Sequence, residues 1–387
     1  YGDVKAEILK GLSVLAAQAI VGNKAPGLSL ETEAKAPVLH LDLNAKPFTK
    51  LQDLYDLLNA QLYLYEQEYE SVAIDTSIEG RFRALIRAAK LKTGRNVVVL
   101  VDEYDKPMLQ AIGNEALQTD FRNALKAFYG VLKSADGDLR FAMLTGVTKF
   151  SKVSVFSDLN NLKDISVSLH YHDICGITEK ELHATFDAEV EKLAQVNEQT
   201  KEEAFLELQK RYDGYHFCQN SEGIYNPFRV LNTLKNRQFR DYWFETGTPT
   251  LLVDMLRNCD YDLAALTSEE VTTDVLDCIF DNDNPLPVIF QSGYLTIKSY
   301  DKEFNTYTLC YPNREVKEGF IRFLLPYYTQ NKRHNTFDLR RFVQDLRGGR
   351  VEEFMTRLQS LFADTPYLLV HGGDRERHYH NVIYLLT

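Results

Sequence analysis

The chain has 387 residues, of which 44% are hydrophobic and 26% are charged, and its formal net charge is −11. A soluble protein of this length is expected to contain two or three globular domains. The excess of acidic residues argues against a nucleic-acid-binding surface over the whole molecule, so any DNA contact would need a local basic patch.

Targeting features and cysteine spacing indicate a cytoplasmic protein. No apolar run approaches the ~20 residues needed to cross a bilayer, and Tyr1–Lys5 lacks the basic start of a signal peptide. The five cysteines are dispersed, and no two of them are spaced as C-x-x-C. This pattern is typical of reduced thiols and indicates neither a disulfide framework nor a zinc site.

The first part of the chain alternates between helical and strand-like patterns. Helical spacing of apolar residues predicts helices over Val4–Ile20, Leu51–Tyr69, Ile78–Leu91 and Leu117–Lys133. Short apolar or β-branched runs predict strands over Pro37–Leu43, Asn96–Val101, Leu139–Thr145 and Asp164–Leu169. Strands that alternate with helices in this way imply an α/β fold with a parallel sheet and right-handed crossovers.

Helical patterns dominate from Thr178 onward. Thr178 and Glu181 have the spacing of a capping box, which predicts a helix to about Val196. A helix followed by a β-hairpin and a second helix predicts a winged-helix module, with elements at Leu286–Gln291, Gly293–Tyr300, Thr306–Tyr311 and Glu315–Thr329. Further helices are predicted over Lys201–Arg211, from Pro227, and over Phe337–Leu346, Val351–Phe362 and Glu376–Leu386.

An acidic pair follows the strand predicted at Asn96–Val101. Asp102 and Glu103 would lie at the carboxyl edge of a parallel sheet, where open α/β folds bind ligands. In P-loop ATPases the first such acid holds Mg²⁺ and the next polarises the attacking water. Asp102 fits the first role and Glu103 the second, while Asp105 could supply a third oxygen. Alternatively, Asp102 and Glu103 cap the helix that begins near Lys106.

Thr145 and Thr148 follow the next predicted strand and are candidates for nucleotide contacts. A hydroxyl group at this strand end could orient water or contact a γ-phosphate. The alternative is that both threonines only cap a turn. Suitable residues at two neighbouring strand ends together favour the nucleotide interpretation.

Six motifs, in order along the chain, resemble those of a known bacterial family. They are Val-Asp-Glu-Tyr-Asp-Lys-Pro (101–107), Leu-Thr-Gly-Val-Thr-Lys-Phe (144–150), Leu-Asn-Asn-Leu-Lys-Asp-Ile-Ser (159–166), Arg-Tyr-Asp-Gly-Tyr-His-Phe (211–217), Tyr-Asn-Pro-Phe (225–228) and Gln-Ser-Gly-Tyr-Leu-Thr-Ile-Lys (291–298). From about His40 to its end, the chain resembles the AAA-ATPase-like family of STAND-type P-loop ATPases, typically fused to a C-terminal PD-(D/E)XK nuclease-like domain.

The resemblance implies a nucleotide-binding switch that uses ATP and Mg²⁺. The expected domains are a P-loop NTPase-like core over 1–175, a helical lid over 176–280, a winged helix over 281–335 and the start of a nuclease-like domain over 336–387. DNA and a second copy of the chain are expected partners, and a membrane is not. The implied Mg²⁺ ligand is Asp102 and the implied catalytic acid is Glu103, while Asp105, Thr145 and Thr148 would contact the nucleotide.

Two departures from the family pattern lead to further expectations. The sequence contains no G-x-x-x-x-G-K-[ST] phosphate loop. We therefore expect the strand that precedes this loop to lie upstream of Tyr1, and its absence to leave a gap in the sheet between the strands Leu139–Thr145 and Asp164–Leu169. The chain alone should then bind ATP–Mg²⁺ weakly. The segment Glu376–Leu386 resembles the first helix of the nuclease-like domain. The acidic, metal-binding strands that follow this helix in the family are not in the sequence, so we expect this chain not to cleave DNA and its last helix to expose an apolar stripe formed by Val382, Ile383 and Leu386.

Two other functions stay open at this stage. The chain could be a non-enzymatic interaction scaffold derived from an ATPase, or a DNA-binding regulator that uses its winged helix. Basic residues for the second function would be Arg314, Lys317 and Arg322. The two H-x-H pairs, at positions 170–172 and 378–380, have no third ligand close in sequence, which favours packing or surface histidines over a metal site.

Overall fold

The computed structural model describes residues 36–149, 155–156, 159–242, 252, 256, 261–276, 284–329, 336–363 and 375–386. The chain divides into two compact units, with the boundary between Asp164 and Ile165. The helix predicted at Val4–Ile20 lies outside the described residues. Within them, no helix is both long enough and apolar enough to cross a membrane.

A three-stranded parallel sheet forms the centre of the first unit. Its strands are β1 (Val38–Asp42), β2 (Val97–Asp102) and β3 (Leu139–Leu144), in the order β1-β2-β3. The three strands were predicted from their apolar runs, and their positions are confirmed. In the middle strand, β2, valine and leucine side chains are buried on both faces of the sheet, as expected for a strand that is covered on both sides. The register pairs Asp42 with Asp102.

Helices α1 (Leu51–Tyr69), α2 (Ile78–Thr93), α3 (Lys106–Gln110) and α4 (Glu115–Ser134) complete the first unit. Local capping defines two of their starts. The Ser77 hydroxyl accepts a hydrogen bond from the Gly80 amide at the start of α2, and the Asn114 side chain accepts one from the Leu117 amide at the start of α4. Phe82 of α2 stacks on Phe128 of α4 with ring centroids 4.6 Å apart, which joins the two helices.

The strand predicted at Asp164–Leu169 is wrong. Its residues form a turn that continues into a 3-10 helix over Leu169–Tyr171. The Ser168 amide donates to the Ile165 carbonyl, and the Tyr171 amide donates to the Ser168 carbonyl. The apolar side chains Val167 and Leu169 are exposed, so no burial favours an extended strand here. Among the described residues β3 pairs on one edge only. The expected gap required a strand at Asp164–Leu169 and is therefore wrong in that form, while a strand upstream of Tyr1 stays a prediction.

The second unit begins with helices joined to a short antiparallel pair. Helices α5 (Glu179–Val196), α6 (Lys201–Tyr212) and α7 (Pro227–Asn236) agree with the predicted segments. Thr178 and Glu181 form the predicted capping box. Only helices were predicted between Thr178 and Pro227, and this is wrong because β4 (Ile177–Thr178) pairs with β5 (Ile224–Tyr225).

A three-stranded antiparallel sheet follows, made of β6 (Glu270–Thr272), β7 (Thr296–Asp301) and β8 (Thr306–Cys310) in the order β6-β8-β7. The hairpin β7–β8 was predicted, and β6 was not. The sheet is accompanied by helices α8 (Thr273–Leu276), α9 (Leu286–Gln291) and α10 (Arg314–Thr329). The last described helices are α11 (Thr336–Arg347), α12 (Val351–Ala363) and α13 (Arg375–Leu386).

Helix α13 packs into the second unit. Val382 and Leu386 are buried in its core, so the prediction of an exposed apolar stripe is wrong for these two residues, whereas Ile383 is 36% exposed. Asn381 is fully buried beside them. Its Oδ1 accepts from the Leu263 amide at 2.8 Å, and its Nδ2 donates to the Tyr261 carbonyl at 2.8 Å. These bonds satisfy the buried amide and fix the orientation of the helix.

Candidate functional site

The carboxyl ends of the three parallel strands bring polar side chains to one edge of the sheet. Asp42 ends β1, Asp102 ends β2 and Thr145 follows β3. Backbone hydrogen bonds continue past the strand ends. The Thr145 amide donates to the Val101 carbonyl at 2.9 Å, and the Tyr104 amide donates to the Thr145 carbonyl at 2.9 Å. The segments after β2 and β3 are therefore held side by side.

Asp102 is oriented by the hydroxyl group of Thr145. Thr145 Oγ1 donates to Asp102 Oδ1 at 2.6 Å, and the Glu103 amide donates to the same oxygen at 3.1 Å. Both bonds use Oδ1, so that within the described contacts Oδ2 is the oxygen available to a cation or its water. The predicted proximity of Asp102 and Thr145 is present in this geometry.

Glu103 has a backbone conformation that is rare for its residue type. Its φ is 51°, in the left-handed region, which costs roughly 1–2 kcal/mol for a residue with a Cβ. Lys106 Nζ lies 3.7 Å from Glu103 Oε2. Lys106 Nζ also donates to two oxygens of Asn44, a residue that follows β1: the carbonyl at 3.2 Å and the side-chain oxygen. Glu103 is thus held in an uncommon conformation beside a cation.

Asp105 and Thr148 bond each other in the interior, away from solvent. Asp105 is 1% exposed and Thr148 is 6% exposed. Asp105 Oδ2 accepts from the Thr148 amide at 2.6 Å and from Thr148 Oγ1 at 2.7 Å, while Oδ1 accepts from the Val147 amide at 3.2 Å. Burial raises the pKa of the Asp105 carboxyl, and these hydrogen bonds oppose that rise.

This arrangement changes the interpretation of both residues. Asp105 directly precedes α3, but its side chain makes no capping bond to that helix. A direct contact of Asp105 or Thr148 with nucleotide stays a prediction, and their burial and mutual bonding argue against it.

Two neighbours reinforce the contact between the segments. Tyr104 Oη donates to the Thr148 carbonyl at 2.6 Å, and Tyr129 Oη donates to the Tyr104 carbonyl at 3.4 Å. A Cβ at Gly146 would lie 2.5 Å from Asp105 Oδ1 and 2.7 Å from Tyr104 Cε1. Only glycine therefore fits between the side chains of Tyr104 and Asp105 without a shift.

Residues 16–156 match the model of a family described as "Predicted AAA-ATPase". The match covers β1, β2 and β3 with the acid pair, and it supports an AAA-ATPase-like first unit. The chain is also 39% identical over 296 residues to an "Uncharacterized protein in vnfD 5'region" of Azotobacter chroococcum mcd 1. The alignment covers 76% of this chain and 55% of that protein, so the chain spans about half the length of this relative. No solved structure matches the chain.

The oxygen donors at this sheet edge fit a hard cation. Asp102 and Glu103 are consecutive residues at one sheet edge, and carboxylate oxygens are ligands that suit Mg²⁺. Among the described residues, no three His, Cys, Asp or Glu side chains come together as a metal site. Mg²⁺ in nucleotide sites commonly takes only one or two carboxylates, with waters and phosphate oxygens as its other ligands. The arrangement is thus compatible with Mg²⁺ bound together with a phosphate group.

Sequence reasoning missed four residues that shape this site. Asp42 ends the neighbouring strand and is paired in register with Asp102. Tyr104, Lys106 and Gly146 hold the surrounding segments, as described above. The acid at the end of Pro37–Leu43 was a signal for Asp42, because carboxyl ends of parallel strands meet at one edge. No local signal identified the partners of the other three.

Proposed function

We propose that the chain carries the Mg²⁺-handling part of an ATP-binding and ATP-hydrolysing switch of the STAND/AAA-like class. In this proposal Asp102 holds Mg²⁺, Glu103 activates the attacking water and Thr145 orients Asp102. The observation that carries it is the acid pair at the carboxyl end of the central strand, with the Thr145 hydroxyl bonded to Asp102 at 2.6 Å. The AAA-ATPase-like family match over residues 16–156 supports it.

The side chains suggest how the work is divided. When bound, Mg²⁺ would neutralise charge on the phosphate groups. The Thr145 hydroxyl fixes one oxygen of Asp102, so the carboxylate needs less reorganisation to bind a cation. The Glu103 carboxylate would accept a proton from the attacking water. Lys106, 3.7 Å from that carboxylate, restrains it electrostatically and ties its position to the end of β1.

The experiment measures nucleotide binding and ATP hydrolysis by the complete protein. Glu103→Gln should lower kcat by about 10²–10⁴-fold, the usual contribution of a general base, while a fluorescent ATP analogue still binds. Asp102→Asn should raise the Mg²⁺ concentration needed for binding and hydrolysis. Glu115→Gln, the same change at an exposed position in α4, is the matched control and should hydrolyse ATP at the wild-type rate.

Two results would contradict the proposal. Unchanged hydrolysis in Glu103→Gln would remove Glu103 from its role. A complete protein that binds no nucleotide would favour the alternative, a non-enzymatic interaction scaffold. Residues 1–387 alone, whose sequence contains no G-x-x-x-x-G-K-[ST], are expected to bind ATP–Mg²⁺ weakly, because that motif supplies the main phosphate contacts.

For the second unit we propose a helical lid over 176–280 and a winged helix over 281–335. The hairpin of β7 and β8, flanked by α9 and α10, supports the winged helix, although β6, which pairs with β8, lies before the proposed boundary. Its α9 is largely buried, and on α10 Arg314 bonds Glu318 while Arg322 bonds Asp241. These contacts favour a packing module over a DNA-reading helix.

The remaining parts of the proposal rest on the family resemblance. We propose a nucleotide-binding core over 1–175 and the start of a nuclease-like domain over 336–387. We also propose cytoplasmic location, self-association and action on DNA by the complete protein. A metal-dependent nuclease assay on residues 1–387 should show no cleavage of duplex or single-stranded DNA, since none of the described elements combines the acids and lysine of a PD-(D/E)XK site.

A further inference from the structure

We infer that Asp105 is a positioning residue, which holds the loop of residues 145–148 (the sensor loop) so that Thr145 stays bonded to Asp102. The inference rests on the proposed function, because it assigns Asp105 a part in the binding of Mg²⁺ without any contact to the ion. The acids of the motif Asp-Glu-Tyr-Asp then divide into two groups. Asp102 and Glu103 act at the sheet edge on Mg²⁺ and the attacking water, and Asp105 holds the sensor loop in position.

The sensor loop is bonded to the acid segment at both of its ends. At the first end, Thr145 Oγ1 donates to Asp102 Oδ1 at 2.6 Å. At the second end, Thr148 donates through its amide and its hydroxyl to Asp105 Oδ2, at 2.6 and 2.7 Å. The Tyr104 amide, midway between the acids, donates to the Thr145 carbonyl at 2.9 Å. Without the bonds between Thr148 and Asp105, the sensor loop can move about the bond between Thr145 and Asp102.

Both oxygens of Asp105 act as acceptors, and this makes the site sensitive to the acid-to-amide change. Oδ1 accepts from the Val147 amide and Oδ2 accepts from Thr148. An asparagine has one acceptor oxygen and one NH₂ donor. Whichever way its amide is turned, the NH₂ group would face an N–H donor, so Asp105→Asn must lose one side of the contact. Since the site is buried, water cannot replace the lost hydrogen bond.

The sensor loop packs closely against the side chains of Tyr104 and Asp105. At Gly146 a Cβ would meet Asp105 Oδ1 at 2.5 Å and Tyr104 Cε1 at 2.7 Å. The Tyr104 hydroxyl also donates to the Thr148 carbonyl at 2.6 Å. Asp105 and Tyr104 therefore contact the sensor loop along its length, and the position of Thr145 depends on the fit of both.

The first measurement is the Mg²⁺ dependence of ATP hydrolysis by the complete protein, well below its melting temperature. Asp105→Asn should raise the half-saturating Mg²⁺ concentration roughly 10-fold, the lower range for residues that orient metal ligands. Thr145→Val should produce a shift of the same sign. In the double variant the two shifts should not add, because Asp105 acts through Thr145. Asp120→Asn, the same change at an exposed position of α4, is the control and should leave the Mg²⁺ dependence unchanged.

The second measurement requires no activity. Hydrogen exchange of the Val147 and Thr148 amides should become faster in Asp105→Asn, while the amides of β2 keep their protection. If Asp105→Asn does not fold, Thr148→Val removes only the hydroxyl bond and should shift both measurements in the same direction. Thr148→Ser keeps that bond and should restore wild-type behaviour.

The outcomes separate this inference from the proposed function. Wild-type protein that hydrolyses no ATP would overturn the proposed function, and with it the positioning role. Hydrolysis that depends on Glu103, with an unchanged Mg²⁺ requirement in Asp105→Asn, would overturn the positioning role alone. Additive shifts in the double variant, or unchanged exchange at Val147 and Thr148, would also overturn it, since Asp105 would then act independently of the sensor loop.

Discussion

Replacement of Arg229 by methionine should strongly destabilise the second unit. Arg229 of α7 and Glu315 of α10 are 0% and 1% exposed, and Arg229 Nη1 lies 3.0 Å from Glu315 Oε2. Arg229 Nη2 donates to Tyr215 Oη at 2.7 Å, and the guanidinium carbon lies 5.5 Å from the centroid of the Tyr215 ring. Methionine would retain much of the side-chain volume but would leave the Glu315 carboxylate in the interior without its cation.

The structure gives the size of the effect. For two charges 3.0 Å apart, the Coulomb attraction is about 5.5 kcal/mol at an effective dielectric constant of ~20. Desolvation of both charges opposes this attraction, so the intact pair contributes much less than that figure. Removal of one partner leaves the desolvation of the other uncompensated, which typically costs about 3–5 kcal/mol. We expect Arg229→Met to lower the free energy of unfolding by this amount.

The assay is urea unfolding at pH 7, followed for the wild type, Arg229→Met and the double variant Arg229→Met/Glu315→Leu. The double variant should recover at least half of the lost stability, because no unpaired charge remains buried. Arg314→Met is the matched control. Its pair with Glu318 is exposed, with side chains 57% and 46% accessible, so its loss should cost less than about 0.5 kcal/mol. A cost below about 1 kcal/mol for Arg229→Met would refute the reasoning, given the 3–5 kcal/mol expected for a broken buried pair.

Two further predictions concern the turn after α6. Gly214 has a φ of 97°, and a Cβ there would lie 2.1 Å from the Pro312 carbonyl oxygen, so Gly214→Ala should lower the melting temperature. Gly130→Ala, inside α4 with no atom within 4 Å of the added Cβ, should instead stabilise by about 0.5–1 kcal/mol. Burial raises the pKa of the Asp213 carboxyl, so this group favours the folded state below its unfolded pKa and loses that contribution as pH rises through its folded pKa. Asp213→Asn should therefore melt higher than wild type at pH 7 but not near pH 3, and equal differences at both pH values would count against this assignment.

Regular elements with strong local signals were predicted well. The helix over Leu51–Tyr69 has the predicted bounds, and the capping box of Thr178 begins α5 as expected. The short strands β4, β5 and β6 were missed, because two or three residues carry no readable alternation and their conformation depends on the partner strand. The false strand at Asp164–Leu169 had an apolar pattern but lacks the burial that would favour a strand.

The site was predictable only as far as strand ends define it. Apolar runs located the ends of β2 and β3, and the parallel arrangement implied that Asp102 and Thr145 would be close. The bond between Asp105 and Thr148 joins residues 43 positions apart, and both lie in loops whose conformation no periodicity predicts. From the spacing, Asp105 was predicted to be a cation ligand and Thr148 a phosphate contact, whereas in the structure the two residues bond each other.

The close fit of Gly146 against Asp105 and Tyr104 has a consequence for comparing sequences. A larger residue at position 146 can be accommodated only if the side chain at 104 or 105 becomes smaller or moves. Substitutions at these positions should therefore occur together across related chains, although two helices and a strand separate them in sequence. An alignment of relatives should show this covariation between the Asp-Glu-Tyr-Asp and Thr-Gly-Val-Thr motifs, and a relative that has lost one motif should also have drifted in the other.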